Sequence, residues 1–278
     1  HPSVLKTFEE LEKTFGYEVT YLNVDEKGLI SLDELEKAMR DDTILVSLMA
    51  VNNEIGIVEP LLEASKIVHN YPKAFFHSDI VQGVGKIDIP FKELDLMTFT
   101  GHKIHGLKGC GALIKRKNIS LFPTHNGGSQ ENNERAGTVD VPGAAALAKA
   151  LRMALNEQIE VKNNIYPLAK RIEDYLASEP SLYHLNSNAL INPFIVNFSL
   201  KTKKAAVIVE GLSREGIMIS SVSACHSKNE KMSYVVFEIS HDEYLAHQTL
   251  RISFAKDNTM EEVEIFLQKL DKLVKGIR

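Results

Sequence analysis

DLMTFTGHKIHGLKGCGALIK, residues 95–115, decides how the rest of the chain is read. Two apolar runs, 96–100 and 112–114, have the character of strands. The turn between them holds His102, Lys103, His105 and several glycines. A lysine at the end of a buried strand, beside a hydroxyl, an imidazole and glycines that let backbone pack closely, is an expensive placement for a charge. Burial lowers a lysine pKa, and a neutral amine is a nucleophile toward aldehydes. Lys103 is therefore read as a Schiff-base lysine, with a solvated turn lysine as the bland alternative.

Upstream, 43–50 is a continuous apolar run, as in a strand covered on both faces. It ends in the polar cluster Val51-Asn52-Asn53-Glu54. A helix is expected over 60–70. A strand over 74–77 follows, ending in Ser78-Asp79-Ile80-Val81-Gln82. Three successive strands thus carry polar residues at their carboxyl ends, the edge where open α/β sheets bind ligands. Asp79 is either a surface or capping carboxylate or the partner of a pyridine nitrogen. The second role, with a lysine closing the next strand, points to pyridoxal 5'-phosphate (PLP), whose protonated ring acts as an electron sink.

Farther out, 3–15 has helical spacing, with Pro2 suited to the first turn. Residues 17–22 alternate as a strand, and Ser31-Leu32-Asp33-Glu34 reads as a capping box. Residues 120–141 form a long loop carrying Arg135 and Thr138, placed to reach a phosphate or a partner subunit. Helices are expected from 142 to about 153, continuing toward 164, and over 166–177 after Pro167. The domain boundary falls there, giving a large domain, 1–150, and a small α+β domain, 151–278. In the latter, 194–200 alternates as a strand, 205–214 is helical, 216–220 is a strand leading to Cys225, and 249–254 is a strand interrupted by Arg251. That arginine is either solvent-facing or a bidentate grip on a substrate carboxylate. An amphipathic helix closes the chain over 260–274.

The chain has 278 residues, 25% of them charged and 44% hydrophobic, the balance of an ordinary globular protein. A net charge of −5 gives no footprint for nucleic acid or anionic membrane. No apolar run approaches the ~20 residues of a bilayer span. Two cysteines, Cys110 and Cys225, are too few for a disulfide framework and suit a reducing, cytoplasmic compartment. Cys225 lies in SSVSACHSKNE, too polar for core, and His226 beside it favours the thiolate; Cys110 reads as structural. No CxxC unit, P-loop or early GxGxxG is present, and His102 and His105 lack an evident third metal ligand.

VNNEIG (51–56), HSDIVQGVGKIDI (77–89), HKIHGLKGCGAL (102–113), GGSQENNERAGT (127–138), SSVSAC (220–225) and LRISF (250–254) occur in that order. Together they resemble the cysteine desulfurases of the NifS/IscS type, class V aminotransferases with the PLP-transferase fold of type I. The resemblance implies an α/β large domain, its mostly parallel sheet sandwiched by helices, and a smaller α+β C-terminal domain. It implies that Lys103 is the Schiff-base lysine, Asp79 the pyridinium partner, Gln82 the amide facing the phenolic oxygen and His1 the ring-stacking histidine. Thr100 and His102 match phosphate ligands, and Thr138 matches a threonine supplied to the phosphate by the other subunit. Asn52 and Arg251 match the pair holding the substrate carboxylate, and Cys225 the nucleophile that accepts sulfur as a persulfide.

The implied activity is conversion of L-cysteine to L-alanine by a homodimer that passes sulfur to a scaffold or carrier protein. The competing expectations are a selenocysteine lyase or aminotransferase on the same framework, or a truncated, non-catalytic binding partner. The family's upstream segment, with its glycine-rich phosphate turn, has no counterpart in these residues, so an N-terminal part of the fold is expected to be missing. Leu107 stands where a proline is usual, Val222 where a glycine is, and His226 where a threonine is common.

Overall fold

The computed structural model describes residues 1–221 and 232–276. In chain order its elements begin with α1 (Pro2–Phe15), α2 (Leu32–Ala38), β1 (Leu45–Ser47), α3 (Leu61–Val68), β2 (Phe75–Asp79), β3 (Leu96–Thr100) and β4 (Gly111–Lys115). There follow α4 (Val141–Ser178), β5 (Tyr183–Leu185), β6 (Ile195–Leu200), α5 (Ala205–Arg214), β7 (Ser220–Ser221), α6 (Tyr234–Ser240), α7 (Glu243–His247), β8 (Thr249–Ser253) and α8 (Met260–Gly276). They form two compact units. One comprises Met39–Ala50 and Leu61–Gln158; the other comprises His1–Ala38, Val51–Pro60 and Ile159–Arg278.

The first unit is built on a sheet in the order β1-β2-β3-β4. β1, β2 and β3 run parallel, with Ser47 opposite His77 and Asp79 opposite Thr98. β4 returns antiparallel, placing Gly111 opposite Thr100. The two-residue period of a strand sorts the side chains. Phe76, Ser78, Met97 and Phe99 are buried, while His77, Asp79, Thr98 and Thr100 stand half-buried. On α3, Leu61, Ala64, Ser65 and Val68 recur at helical spacing and are its buried face, and the helix lies against β2. Full burial of a side chain such as Phe76 stabilises by roughly 1.5–3 kcal/mol.

The second unit has a sheet in the order β5-β6-β8-β7, whose pairs are all antiparallel. Its core gathers Phe198 and Leu250 from the sheet, Ile172 and Leu176 from α4, Ile208 and Leu212 from α5, and Leu270 from α8.

Five expectations change. Residues 17–22 form no strand: the segment has no ladder partner, and only Val24 pairs, in an isolated bridge with Ile30. The two helices expected around Pro167 are one, because Ile165, Leu168, Ala169, Ile172 and Leu176 stay buried on one face across the proline. That burial outweighs the ~3 kcal/mol a proline costs inside a helix. β6 does not alternate; all six of its residues are buried, Asn197 and Ser199 included, because each polar side chain finds a hydrogen bond. β7 is confined to Ser220–Ser221, where β8 can pair with it. The capping box is half formed: Ser31 accepts from Glu34 N–H at 3.2 Å, but the Glu34 carboxylate accepts from Asn23 instead.

Glu59 is buried, and its carboxylate accepts the Ile30 N–H at 3.2 Å. Desolvation pushes its pKa up to about 7, against the lowering effect of that N–H, with Asp25 adding to the rise. A carboxyl raised in the folded state stabilises fully below its unfolded pKa and loses that contribution as pH rises through the folded one. Urea denaturation of the wild type is therefore expected to lose on the order of 3 kcal/mol relative to Glu59→Gln between pH 4.5 and 7.5. Parallel pH profiles for the two proteins would contradict this placement.

Candidate functional site

At the carboxyl ends of β2 and β3, Asp79 and Thr100 lie on the same half-buried face, and Lys103 follows within one short turn. Asp79 Oδ1 accepts the Val81 N–H at 3.0 Å, which turns the chain out of the strand. Beside it, a chain of hydrogen bonds crosses three strands. Ser47 Oγ lies 2.7 Å from His77 Nδ1, and His77 Nε2 lies 3.1 Å from Thr98 Oγ1. Desolvation holds the His77 pKa below its ordinary value, opposed by nearby Asp79.

The lysine turn is closed by backbone. The Cys110 carbonyl accepts both the Gly101 N–H at 2.9 Å and the Thr100 hydroxyl at 3.0 Å. The Gly106 N–H returns to the Gly101 carbonyl at 2.8 Å. A Cβ on Gly106 would sit 3.0 Å from that carbonyl oxygen, and one on Gly111 2.9 Å from the Phe99 oxygen, so both contacts require glycine. Because the Thr100 hydroxyl donates to the Cys110 carbonyl, its oxygen accepts from His102 Nδ1–H at 3.0 Å, a hydroxyl–imidazole pair at the strand end. Lys103 is half-buried and His102 exposed. Gln82, three residues past Asp79, accepts from Lys86 Nζ at 3.1 Å.

In the other unit, Asn52 and Arg251 belong to one hydrogen-bonded assembly. Asn52 Oδ1 accepts the N–H groups of Glu54 and Ile55 at 2.8 and 3.1 Å, leaving its amide donors for a ligand. Arg251 Nη1 donates to the Asn53 carbonyl at 2.7 Å, while its buried Nε has no partner among the described residues. The loop is pinned from behind. Asn197 Nδ2 donates to the Glu54 carbonyl at 3.0 Å, Ser233 Oγ to the Glu54 carboxylate at 2.6 Å and Asn192 Nδ2 to the Gly56 carbonyl at 3.2 Å. Asn197 Oδ1 also accepts from Asn186 and Thr249, each at 2.8 Å. Sequence reasoning missed Glu54, Asn192 and Asn197. The available signal was asparagine inside the apolar run INPFIVNFSL, which must find partners when buried.

The remaining candidates are dispersed. His1 caps α1, its Nδ1 accepting the Ser3 N–H at 3.2 Å. Thr138 is exposed in the 120–141 loop, and Arg135 Nη1 donates to the Ala136 carbonyl at 2.7 Å. Cys225 lies outside the described residues. The Cys110 thiol faces Asp140 at 3.5 Å; desolvation first, then this carboxylate, pushes its pKa up and away from thiolate chemistry. Among the described residues, no group of three or more His, Cys, Asp or Glu side chains is gathered to hold a metal ion, and no helix is long and apolar enough to cross a membrane.

A family model described as aminotransferase class-V matches residues 1–266. The chain is 38% identical to a protein named cysteine desulfurase IscS from Dictyoglomus turgidum, covering 100% of this chain and 71% of the relative. It is 36% identical to a NifS/IcsS protein homolog from Lactobacillus delbrueckii subsp. bulgaricus, covering 98% and 72%. Among solved structures, a NifS-like protein superimposes with a TM-score of 0.90 at 32% identity, covering 100% of this chain and 73% of the other.

Asn197→Ala removes one donor and two acceptances from a buried network, so a loss of roughly 2–3 kcal/mol is expected from the urea midpoint. An unchanged midpoint would contradict the role given to this side chain.

Proposed function

The chain belongs to the class-V aminotransferase family, and from that premise we propose that it works as a PLP-dependent cysteine desulfurase. It converts L-cysteine to L-alanine and carries the released sulfur on Cys225. The observation that supports this most strongly is the shared edge of β2 and β3, where Asp79 closes one strand and the Thr100–His102 pair and Lys103 follow at the end of its neighbour. That donor set fits PLP: Asp79 for the ring nitrogen, Gln82 for the phenolic oxygen, Thr100 and His102 for the phosphate, and Lys103 for the aldehyde carbon. When bound, PLP supplies an electrophilic carbon for the amine and a ring that accepts electrons from the substrate α-carbon.

The chain's own residues divide the remaining work. Asp79 would keep a proton on the ring nitrogen of the bound cofactor. Lys103 Nζ would take and return the proton at the substrate α-carbon. Arg251 and the Asn52 amide hold the substrate carboxylate; the buried Nε of Arg251, without a partner among the described residues, is a donor suited to such an acceptor. The Cys225 thiolate attacks the substrate sulfur; an S–S bond forms as the C–S bond breaks, and its electron pair returns to the three-carbon skeleton. His1 keeps a ring-stacking assignment from its sequence position alone.

We further infer a homodimer in which Thr138 serves the neighbouring subunit's phosphate site. Thr138 is exposed, and Phe122, Val139 and Val141 in the same region expose large apolar surface, Phe122 at 88%. The two-cysteine composition supports a cytoplasmic location, and a carrier or scaffold protein is the inferred sulfur acceptor.

The test is to incubate PLP-reconstituted protein with L-cysteine and measure alanine and protein-bound persulfide. Wild type is expected to form both, and Cys225→Ser to lose persulfide and at least 100-fold of alanine formation while retaining the visible absorbance band. Alanine formation by Cys225→Ser at the wild-type rate would overturn the assignment of the sulfur acceptor.

A further inference from the structure

The turn after Asp79 holds a charged contact that the reaction as described does not use. The N–H groups of Gly83 and Val84 return to the Ile80 carbonyl, and those of Lys86 and Ile87 to the Gly83 carbonyl, at 2.9–3.0 Å. These coils bring Lys86, four residues on, back over Gln82, the spacing at which helical side chains meet. Glycines make the coil tight. A Cβ on Gly83 would lie 2.8 Å from Ile89, and one on Gly85, whose φ is +72°, 2.6 Å from Ala154. The result is Lys86 Nζ donating to Gln82 Oε1 at 3.1 Å, with both side chains half-buried.

A glutamine amide has a donor end and an acceptor end of nearly equal shape, and only its partners decide which faces where. An ammonium has no acceptor, so the end of Gln82 beside Lys86 is the oxygen. We propose that Lys86 is a positioning residue that locks the Gln82 amide so that Nε2 is presented to the cofactor as a donor. The inference rests on the PLP assignment above and deepens it. With PLP bound, a donor held at its phenolic oxygen would favour the deprotonated form of the chromophore, so the visible band would titrate at lower pH. Without Lys86 nothing would fix which end of the Gln82 amide faces the cofactor, and the band would titrate at higher pH.

The experiment is a pH titration of the visible absorbance band of the PLP-reconstituted full chain. Lys86→Met, or Lys86→Ala if the methionine variant does not fold, is expected to raise the midpoint by roughly half to one pH unit. Lys86→Arg restores a donor and is expected to return the midpoint toward wild type. In a Gln82→Leu background the same Lys86 change is expected to add nothing. A wild-type midpoint in Lys86→Met, or an equal shift with Gln82 already replaced, would overturn the proposal. A wild type with no visible band would overturn the PLP reading and this inference with it.

Discussion

One backbone oxygen carries the geometry of the lysine turn. The Cys110 carbonyl, one residue before β4, accepts the Gly101 N–H and the Thr100 hydroxyl together. Each bond contributes only about 1 kcal/mol net. Their effect is on position: the residue before the turn and the first residue within it are tied to the same atom. Lys103 therefore leaves the sheet along one path, and the Thr100–His102 pair is set beside it. The glycines at 106 and 111 are the condition for this closure, since a side chain at either would press on a carbonyl oxygen.

In the second unit the constraint is the satisfaction of buried polar groups. Arg251 is held by the Asn53 carbonyl, and the segment bearing Asn52 and Asn53 is held by Asn192, Asn197 and Ser233. Unpaired, each such group would cost about 1–3 kcal/mol; paired, the set restricts the loop to one arrangement. This is the preorganisation a carboxylate grip needs, because the ligand then does not have to order the side chains that bind it.

Much of the first unit was legible in the sequence because its signals are local. Continuous apolar runs mark β2 and β3, and the polar residues closing them mark the functional edge. The Lys103 turn announces itself by an imidazole and glycines at a strand end. The second unit was harder to read. Asn197 lies among apolar residues, and its partners are distant in the chain: Glu54, Asn186 and Thr249. Pro167 suggested a break that the buried stripe from Ile165 to Leu176 overrides. The alternation over 17–22 suggested a strand, yet a strand needs a neighbour, and none is present there among the described residues.

The central claim is that the amine of Lys103 forms the covalent bond to PLP. Borohydride reduction of the reconstituted protein, followed by proteolysis and peptide mass spectrometry, tests it directly. A pyridoxyl group is expected on the peptide containing Lys103 and on no other. Attachment to Lys108 or any other lysine, with Lys103 unmodified, would contradict it.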